Sequence, residues 1–363
     1  DFCLSRGLGD VYKRQTINNA GLFLGYLFQA MNETKLFSFS AAIESIVFFS
    51  GLIALLILGF TDFKPYVLLY CISKAVRLLY CLTKSKDIIS AGVEPLSLTA
   101  ERSFSSIKVG IKLMISNIVG QLILGVIRFF VDLEWGIEAF SVVSFSLSIA
   151  SFFLMFLTQV SMVLFPHLRQ ASRDSVEAYY VLLRNSLSVL LPSLYLLYPP
   201  IALLLNLWLP EYSESIQLFI FLFPLCVFEG KMDIVGTTYL KVLRQEKKLL
   251  IINCLTLSFS LATTLIGTYL LHSIPFILTC VVFALGARCL IAERTLEKAM
   301  RIKHSPVSWT ALAISMAYIA LFACADQIFA FLSYLLLYVG FFMLNRKSLK
   351  PLGASIVKAL KRN

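Results

Sequence analysis

The chain alternates between long apolar blocks and short polar connectors, and this alternation limits its fold more than any other feature. The blocks are about 17–25 residues long, the length that an α-helix needs to cross a hydrocarbon core about 30 Å thick. Backbone groups in lipid must be hydrogen-bonded within the protein, so each block is predicted to be a helix. The predicted fold is an all-α, polytopic membrane helix bundle. We predict eleven spans, at 16–31, 36–60, 65–82, 107–130, 139–165, 183–206, 215–240, 249–271, 274–292, 307–325 and 327–345.

The composition argues against a soluble globule. Hydrophobic residues make up 58% of the chain and charged residues 15%, whereas soluble domains are about 45–50% apolar and about 25% charged. In such a chain, a net charge of +11 indicates basic residues on the cytoplasmic side and not nucleic-acid binding. The cysteines and histidines lack the spacing of metal ligands, so neither a metal nor another cofactor is predicted.

The distribution of basic residues predicts the orientation of the bundle. Of the 32 Lys and Arg residues, 23 lie in the connectors after the odd-numbered spans or in the C-terminal tail, with Arg184 and Arg288 counted among them. The other connectors hold a single basic residue, Lys64. Basic residues concentrate on the cytoplasmic side, so the C-terminus is predicted to be cytoplasmic. The basic tail 346–363 is expected to lie on the anionic inner leaflet.

Charged groups inside the spans are the first candidate functional residues. Each costs about 2.5–3.5 kcal/mol at the centre of a membrane helix, so each needs a partner or a function. In span 215–240, Glu229, Lys231 and Asp233 lie near the middle of the bilayer. Glu229 and Asp233 share a helix face, whereas Lys231 points elsewhere. Two interpretations remain open: a transport site in an interrupted helix, and a structural ion pair with another helix.

Span 107–130 carries a polar stripe on an otherwise apolar helix. Gly110, Asn117, Gln121 and Arg128 fall within about 40° of one another at about 100° per residue. We expect this stripe to face the bundle interior or a water-filled cavity. For Arg128 the alternative is snorkelling, because it is near the predicted outer end of the span.

Two further sets of residues have more than one interpretation. Span 139–165 carries small and polar residues at helical spacing, which favours close helix packing over a transport pathway. The residues of this set in span 139–165 are Ser141, Ser144, Ser148, Ser151 and Gln159.

Lys112 lies on the opposite side of its helix from Arg128 and is expected to snorkel.

Glu44 and Lys74 lie at similar depths on two consecutive spans, and we predict that they form an ion pair. Arg77 lies one helical turn from Lys74, where it is expected either to snorkel or to face a cavity.

No catalytic or nucleotide-binding motif is present. The chain lacks a P-loop, an HExxH, a GxSxG and a Rossmann fingerprint, which argues against an ATPase, a metalloprotease and a nucleotide-driven pump. The prediction is a transporter and not an enzyme.

Four stretches resemble bacterial polysaccharide (oligosaccharide) flippases of the multidrug/oligosaccharidyl-lipid/polysaccharide exporter superfamily. The longest is GIKLMISNIVGQLILGVIRFFVDLEWGIEAFSVVSFSLSI, at 110–149, which is similar to the seventh and eighth helices of those proteins. The others are VLFPHL (Val163–Leu168), LPEYSESIQLFIFLFP (Leu209–Pro224) and TTYLKVLRQEKKLLIIN (Thr237–Asn253). The family's acidic–arginine pair in the seventh helix is Ile127-Arg128 here, so the arginine matches and the acid does not.

The resemblance implies a two-lobed exporter with 14 helices, of which the first three are missing. The first fifteen residues differ in texture from the rest and resemble a translated sequencing adaptor, so they are treated as a non-native leader. The implied organisation is a leader at 1–15, the rest of the N-terminal lobe at 16–82, a cytoplasmic linker at 83–106, a six-helix C-terminal lobe at 107–292, a connector and two extra helices at 293–345, and the tail at 346–363.

The function implied by the resemblance is transfer of an undecaprenyl-diphosphate-linked oligosaccharide across the bacterial cytoplasmic (inner) membrane by alternating access. The expected partners are this substrate, membrane lipids and a coupling ion, H⁺ or Na⁺. Binding of nucleic acid is not expected. The alternatives are an ion-coupled multidrug exporter of the same superfamily and, in another class, a membrane polysaccharide polymerase or ligase. The candidate cavity residues are Arg128, Lys231, Glu229, Asp233, Asn117, Gln121, Lys74, Arg77 and Glu44.

Overall fold

The computed structural model describes the backbone of residues 2–89 and 96–360, and the side chains of residues 15–87, 101–104, 106–346 and 349. Within these ranges the chain is all-helical, as the apolar blocks predict, and contains no strand. The helices are α1 (Phe2–Ala30), α2 (Thr34–Ile57), α3 (Phe63–Lys84), α4 (96–135), α5 (137–170), α6 (Arg173–Leu190), α7 (Tyr198–Trp208), α8 (Ser213–Lys231), α9 (Thr238–Val242), α10 (Glu246–Tyr269), α11 (Ile274–Met300), α12 (Val307–Cys324) and α13 (Gln327–Leu360), with a single extra turn at Lys86–Ile89.

Several helices have the properties of membrane spans. Among the described residues, eight helical stretches are long and apolar enough to cross a bilayer. The predicted spans 16–31 and 215–240 lie in helical regions but are not among these eight. The eight are Thr34–Ile57, Phe63–Lys84, Glu101–Gln170, Arg173–Trp208, Glu246–Tyr269, Ile274–Met300, Val307–Cys324 and Gln327–Arg346.

Two helical regions are interrupted in ways that matter for the site. The segment Leu96–Gln170 is broken at Gly136, whose φ of 79° is a conformation that glycine adopts without strain. This break separates α4 from α5, as expected for two spans. The region 215–240 is divided by a π-helical segment, Met232–Thr237, between α8 and α9.

The chain forms two compact units, Asp1–Arg102 and Ser103–Asn363. The boundary falls within the predicted linker 83–106. In the first unit, α3 packs against both α1 and α2. In the second unit, α8 and α11 pack against each other, and α10 packs against α11.

The second unit contains two groups of buried side chains. The larger is rich in aromatic residues and joins α6, α8, α12 and α13; Tyr195 and Tyr318 stack in it with ring centroids 4.4 Å apart. The smaller lies where α5, α6, α9, α10 and α11 meet, around Tyr180 and Tyr239. It extends as far as Met300, so α11 remains packed beyond the predicted end of its span at residue 292.

Candidate functional site

The second unit contains a set of charged and polar side chains that link α4, α6, α8, α10, α11 and α12. We call it the buried charge network. Most of its members are at most 7% exposed, and Glu229 is 17% exposed at its side chain. Its members are Ser116, Arg184, Glu229, Lys231, Asn253, Arg288, Glu293, Glu297 and Ser308.

Arg288 on α11 is the centre of one half of the network. Its Nη1 donates to Glu229 Oε1 on α8 at 2.6 Å, and its Nε donates to Asn253 Oδ1 on α10 at 2.9 Å. The Asn253 amide in turn donates to the backbone oxygen of Ser116 at 2.8 Å and to the Ser116 hydroxyl at 2.9 Å. These contacts join four helices through one guanidinium group. Gly120 lies nearby: a Cβ there would be 3.6 Å from Arg288 Nη2.

Lys231 forms the other half of the network with two residues. Its ammonium group makes an ion pair with Glu293 on α11 and donates to Ser308 Oγ on α12 at 2.9 Å. The Ser308 hydroxyl donates to the second oxygen of Glu293. All three side chains are buried. A buried charge is tolerated when it is both paired and hydrogen-bonded, and this triad meets both conditions.

One turn further along α11, Glu297 accepts from Arg184 Nη1 of α6 at 2.7 Å. His304 Nδ1 lies 2.9 Å from the other oxygen of Glu297, and this imidazole is partly exposed. Arg184 also donates to the backbone oxygen of Lys303 at 3.4 Å. The network therefore ties α6 and the turn after α11 to the same face of α11.

Glu229 and Lys231 had two interpretations, and the structure shows the contacts that one of them predicts. Each makes an ion pair with another helix, which was the structural alternative to a transport site. The assignment of Arg184 and Arg288 to connectors was wrong, because both are buried within helices. Arg288 lies inside the predicted span 274–292, and a charge at that position is the signal that indicates a buried partner.

Asp233 differs from its neighbours because it has no ion pair among the described residues. It lies in the π-helical segment, where Thr158 Oγ1 on α5 is 3.4 Å from its carboxylate. Thr238 Oγ1 donates to its backbone oxygen at 2.7 Å. Lys241, which follows the predicted span, has its pKa lowered by burial, and the charge of Asp233 opposes that shift.

The polar stripe on α4 does not face the packed interior of the second unit, and its position at a water-filled cavity stays a prediction. The packed side of α4 carries Ile123 and Ile127, each 0% exposed. At about 100° per residue, the centre of the stripe lies roughly a third of a turn from that side. Asn117 and Gln121 are exposed, and Arg128 is half-buried.

Arg128 is the cation of this stripe that lacks a partner. No hydrogen bond or ion pair links its side chain to another described residue, and its Nε is buried without a partner. Buried polar atoms of native proteins are nearly always hydrogen-bonded, so an orphaned Nε indicates a group that is satisfied by something else.

Four of the five predicted packing residues of α5 are exposed, whereas the hydroxyl of the fifth, Ser144, is buried. Ser141, Ser148 and Ser151 donate to backbone oxygens of their own helix, and all three are exposed, as is Gln159. The expectation of close helix packing was therefore wrong for them. The close contact of α5 is made by Ser146, whose hydroxyl donates to the backbone oxygen of Ser215 at 2.7 Å.

In the first unit, the predicted pair of Glu44 and Lys74 is confirmed. Arg77 also donates to Glu44, at 2.9 Å, and is buried. Arg77 therefore neither snorkels nor faces a cavity, contrary to both expectations. A Cβ at Gly25 would be 3.1 Å from Arg77 Nη2, so the absence of a side chain at Gly25 makes room for the guanidinium.

The fold defines the class of this chain as a multi-pass, α-helical membrane protein. No protein-family model matches the chain, and no curated protein matches it at a significant level.

Proposed function

We propose that this chain belongs to a flippase that moves a lipid-diphosphate-linked oligosaccharide across the bacterial cytoplasmic membrane by alternating access. The resemblance of the stretches around α4 and α5 supports this proposal, and so do the number and length of the apolar helices. The observation that carries it is Arg128, an unpartnered cation in an apolar helix.

Arg128 has the chemistry that a diphosphate requires. A guanidinium group binds phosphate oxygens through two parallel hydrogen bonds, and this interaction strengthens where water is scarce. Lys231 is paired with the buried carboxylate of Glu293, and Lys74 and Arg77 both contact the single carboxylate of Glu44, so each of the three already has an anionic partner. Among the cationic candidates, the diphosphate is therefore assigned to Arg128.

The exposed polar residues of α4 and α5 provide the remaining requirement, a hydrated surface for the sugar. Asn117 and Gln121 are on the same side of α4 as Arg128, and Ser141 and Ser148 are exposed on α5. Exposed amides would be costly against acyl chains. We infer that they face water, where they offer donors and acceptors to sugar hydroxyls. The lipid tail of the substrate stays in the bilayer, so no bond has to be broken.

Binding of a soluble substrate analogue tests this assignment. The probe is a short-chain polyprenyl diphosphate that carries a disaccharide, titrated against the purified protein in an uncharged detergent. Arg128→Ala should weaken binding by about tenfold to a hundredfold, since a charge-assisted hydrogen bond contributes about 1.5–3 kcal/mol. Lys112→Ala removes a cation from the other side of the same helix and should leave the affinity unchanged. Equal affinity of the wild type and Arg128→Ala would overturn the proposal.

The second candidate is the ion-coupled multidrug exporter, and Asp233 favours it. An acid without an ion pair inside a helical interruption is a typical site for a coupling ion. That function predicts binding of a lipophilic cation that is lost in Asp233→Asn and retained in Arg128→Ala. Binding of the diphosphate analogue without binding of the cation would favour the flippase. A polymerase or ligase would instead lengthen or transfer the sugar of the analogue, which mass analysis of the recovered analogue would detect.

A further inference from the structure

Two cavities of the second unit share a pair of arginines at one end of its helices. The first has a volume of about 610 Å³ and is formed by the end of α5, the start of α6, the α9–α10 turn and the end of α11. The second has a volume of about 510 Å³ and is formed by α4, α5 and the same turn. Arg169 and Arg244 line both cavities. Volumes of this size are typical of small-molecule sites.

The charge around these cavities is positive. Arg173 lines the first cavity but makes an ion pair with Glu177, at 3.3 Å. Lys241 and Glu246 line the second cavity and have opposite charges. Arg169 and Arg244 therefore remain as an unneutralised pair, and no side-chain hydrogen bond or ion pair joins either of them to another described residue.

The backbone at Arg244 places this residue between α9 and α10, where it lines both cavities. Arg244 has a φ of 53°, the left-handed conformation that follows a helix end, and its N–H donates to the backbone oxygen of Lys241 at 3.1 Å. The next residue, Gln245, lines the first cavity, and its side-chain oxygen is buried without a partner. Rotation of this amide would present its NH₂ group to an acceptor, because the amide carries donors at one end and an acceptor at the other.

The second cavity is lined by apolar side chains as well as by charged ones. The apolar lining residues are Val109, Leu113 and Phe165. They belong to α4 and α5, two of the helices whose length and hydropathy suit a bilayer. A site on membrane helices that is lined by both basic and apolar side chains fits an anionic phosphate group attached to an acyl chain.

We propose that Arg169 and Arg244 bind the anionic phosphate of a lipid headgroup or of a free phosphate ion, at a site separate from Arg128. Each guanidinium would donate to phosphate oxygens, and the acyl chains of a lipid would lie against Phe165 and Leu113. Neither the charge network nor the α4 stripe is part of this site. It is therefore independent of the proposed flippase function.

Thermal unfolding of the purified full chain in an uncharged detergent tests the site. The probes are short-chain phosphatidylglycerol, short-chain phosphatidylcholine and inorganic phosphate. We expect phosphatidylglycerol to raise the melting temperature and phosphatidylcholine to leave it unchanged. In the double variant Arg169→Gln/Arg244→Gln, the concentration for half-maximal effect should rise about tenfold or more. The matched control is Lys247→Gln/Lys248→Gln, which removes two exposed cations at the start of α10 that line neither cavity.

The arms of this experiment separate the sources of the phosphate. A rise with phosphatidylglycerol alone assigns the site to lipid, and an equal rise with inorganic phosphate assigns it to the free ion. The variant Arg169→Lys/Arg244→Lys keeps the charge and the fold but loses the bidentate hydrogen bonds of the guanidinium groups. It should therefore bind the phosphate with intermediate affinity. The proposal is overturned if neither phosphatidylglycerol nor inorganic phosphate raises the melting temperature of the wild type. It is also overturned if the lysine control weakens binding as much as the arginine variants.

Discussion

The buried charge network and the α4 stripe solve the same physical problem in opposite ways. In the network, every cation has a carboxylate partner on another helix: Arg288 with Glu229, Lys231 with Glu293, and Arg184 with Glu297. In the stripe, Arg128 has no partner among the described residues. A charge taken out of water is costly in both places.

The difference separates charges that hold helices together from a charge that is free to bind. A paired cation has little left to offer a ligand, because the ligand would have to displace the carboxylate. An unpaired cation leaves an unsatisfied donor in the free protein, and a ligand that supplies an anion gains from satisfying it. The following predictions test this distinction through the stability of the protein, from the largest expected effect to the smallest.

The largest effect is expected at Lys231. Lys231→Met should lower the free energy of unfolding by about 3–5 kcal/mol, because it leaves Glu293 buried without its counter-charge. The measurement is denaturant or thermal unfolding of the purified protein in a mild detergent. The double variant Lys231→Met/Glu293→Gln should recover part of the loss, since it removes the unpaired charge. Additive losses in the double variant would show that the two residues do not act as a pair.

The contrast between the Glu44–Lys74 pair and the Lys231–Glu293 pair shows how far the sequence could predict which charged residues form ion pairs. Glu44 and Lys74 lie on consecutive helices at similar depth, and consecutive helices are usually neighbours, so their pairing followed from the sequence. Lys231 and Glu293 lie on α8 and α11, which are not consecutive. Hydropathy shows each helix separately and gives no information about which distant helices meet.

The prediction of where each helix ends and which side of it is buried was limited for the same reason. The apolar blocks gave the helical fold, but the boundary at 292 excluded Glu293 and Glu297 from α11, because charge normally marks the end of a span. On α4, the polar residues were expected to face inwards. Ser116 and Gly120 form the inward side with Arg288 and Asn253 instead, and small residues of this kind give a weaker signal than Asn117 or Gln121.

A smaller effect is expected at Asn253, which is a neutral link in the network. Asn253→Ala should lower the free energy of unfolding by about 1–3 kcal/mol, because Arg288 and Ser116 each lose a buried hydrogen-bond partner. Arg288 would keep its ion pair with Glu229, so the loss should be less than for Lys231→Met. Ser258→Ala is the control on the same helix, since Ser258 is exposed and donates to its own helix. A loss at Ser258 as large as that at Asn253 would show a general sensitivity of α10.

The smallest effect on stability is expected at Arg128, the unpaired charge. Arg128→Met should change the free energy of unfolding by no more than about 0.5 kcal/mol, or stabilise the protein slightly, because no described partner is lost and an orphaned donor is removed. The same unfolding measurement, repeated with the diphosphate analogue, sharpens the comparison. The analogue should raise the melting temperature of the wild type and of Lys112→Ala but not that of Arg128→Met. A loss of several kcal/mol in Arg128→Met without the analogue would place Arg128 among the structural charges and remove the basis for its role in binding.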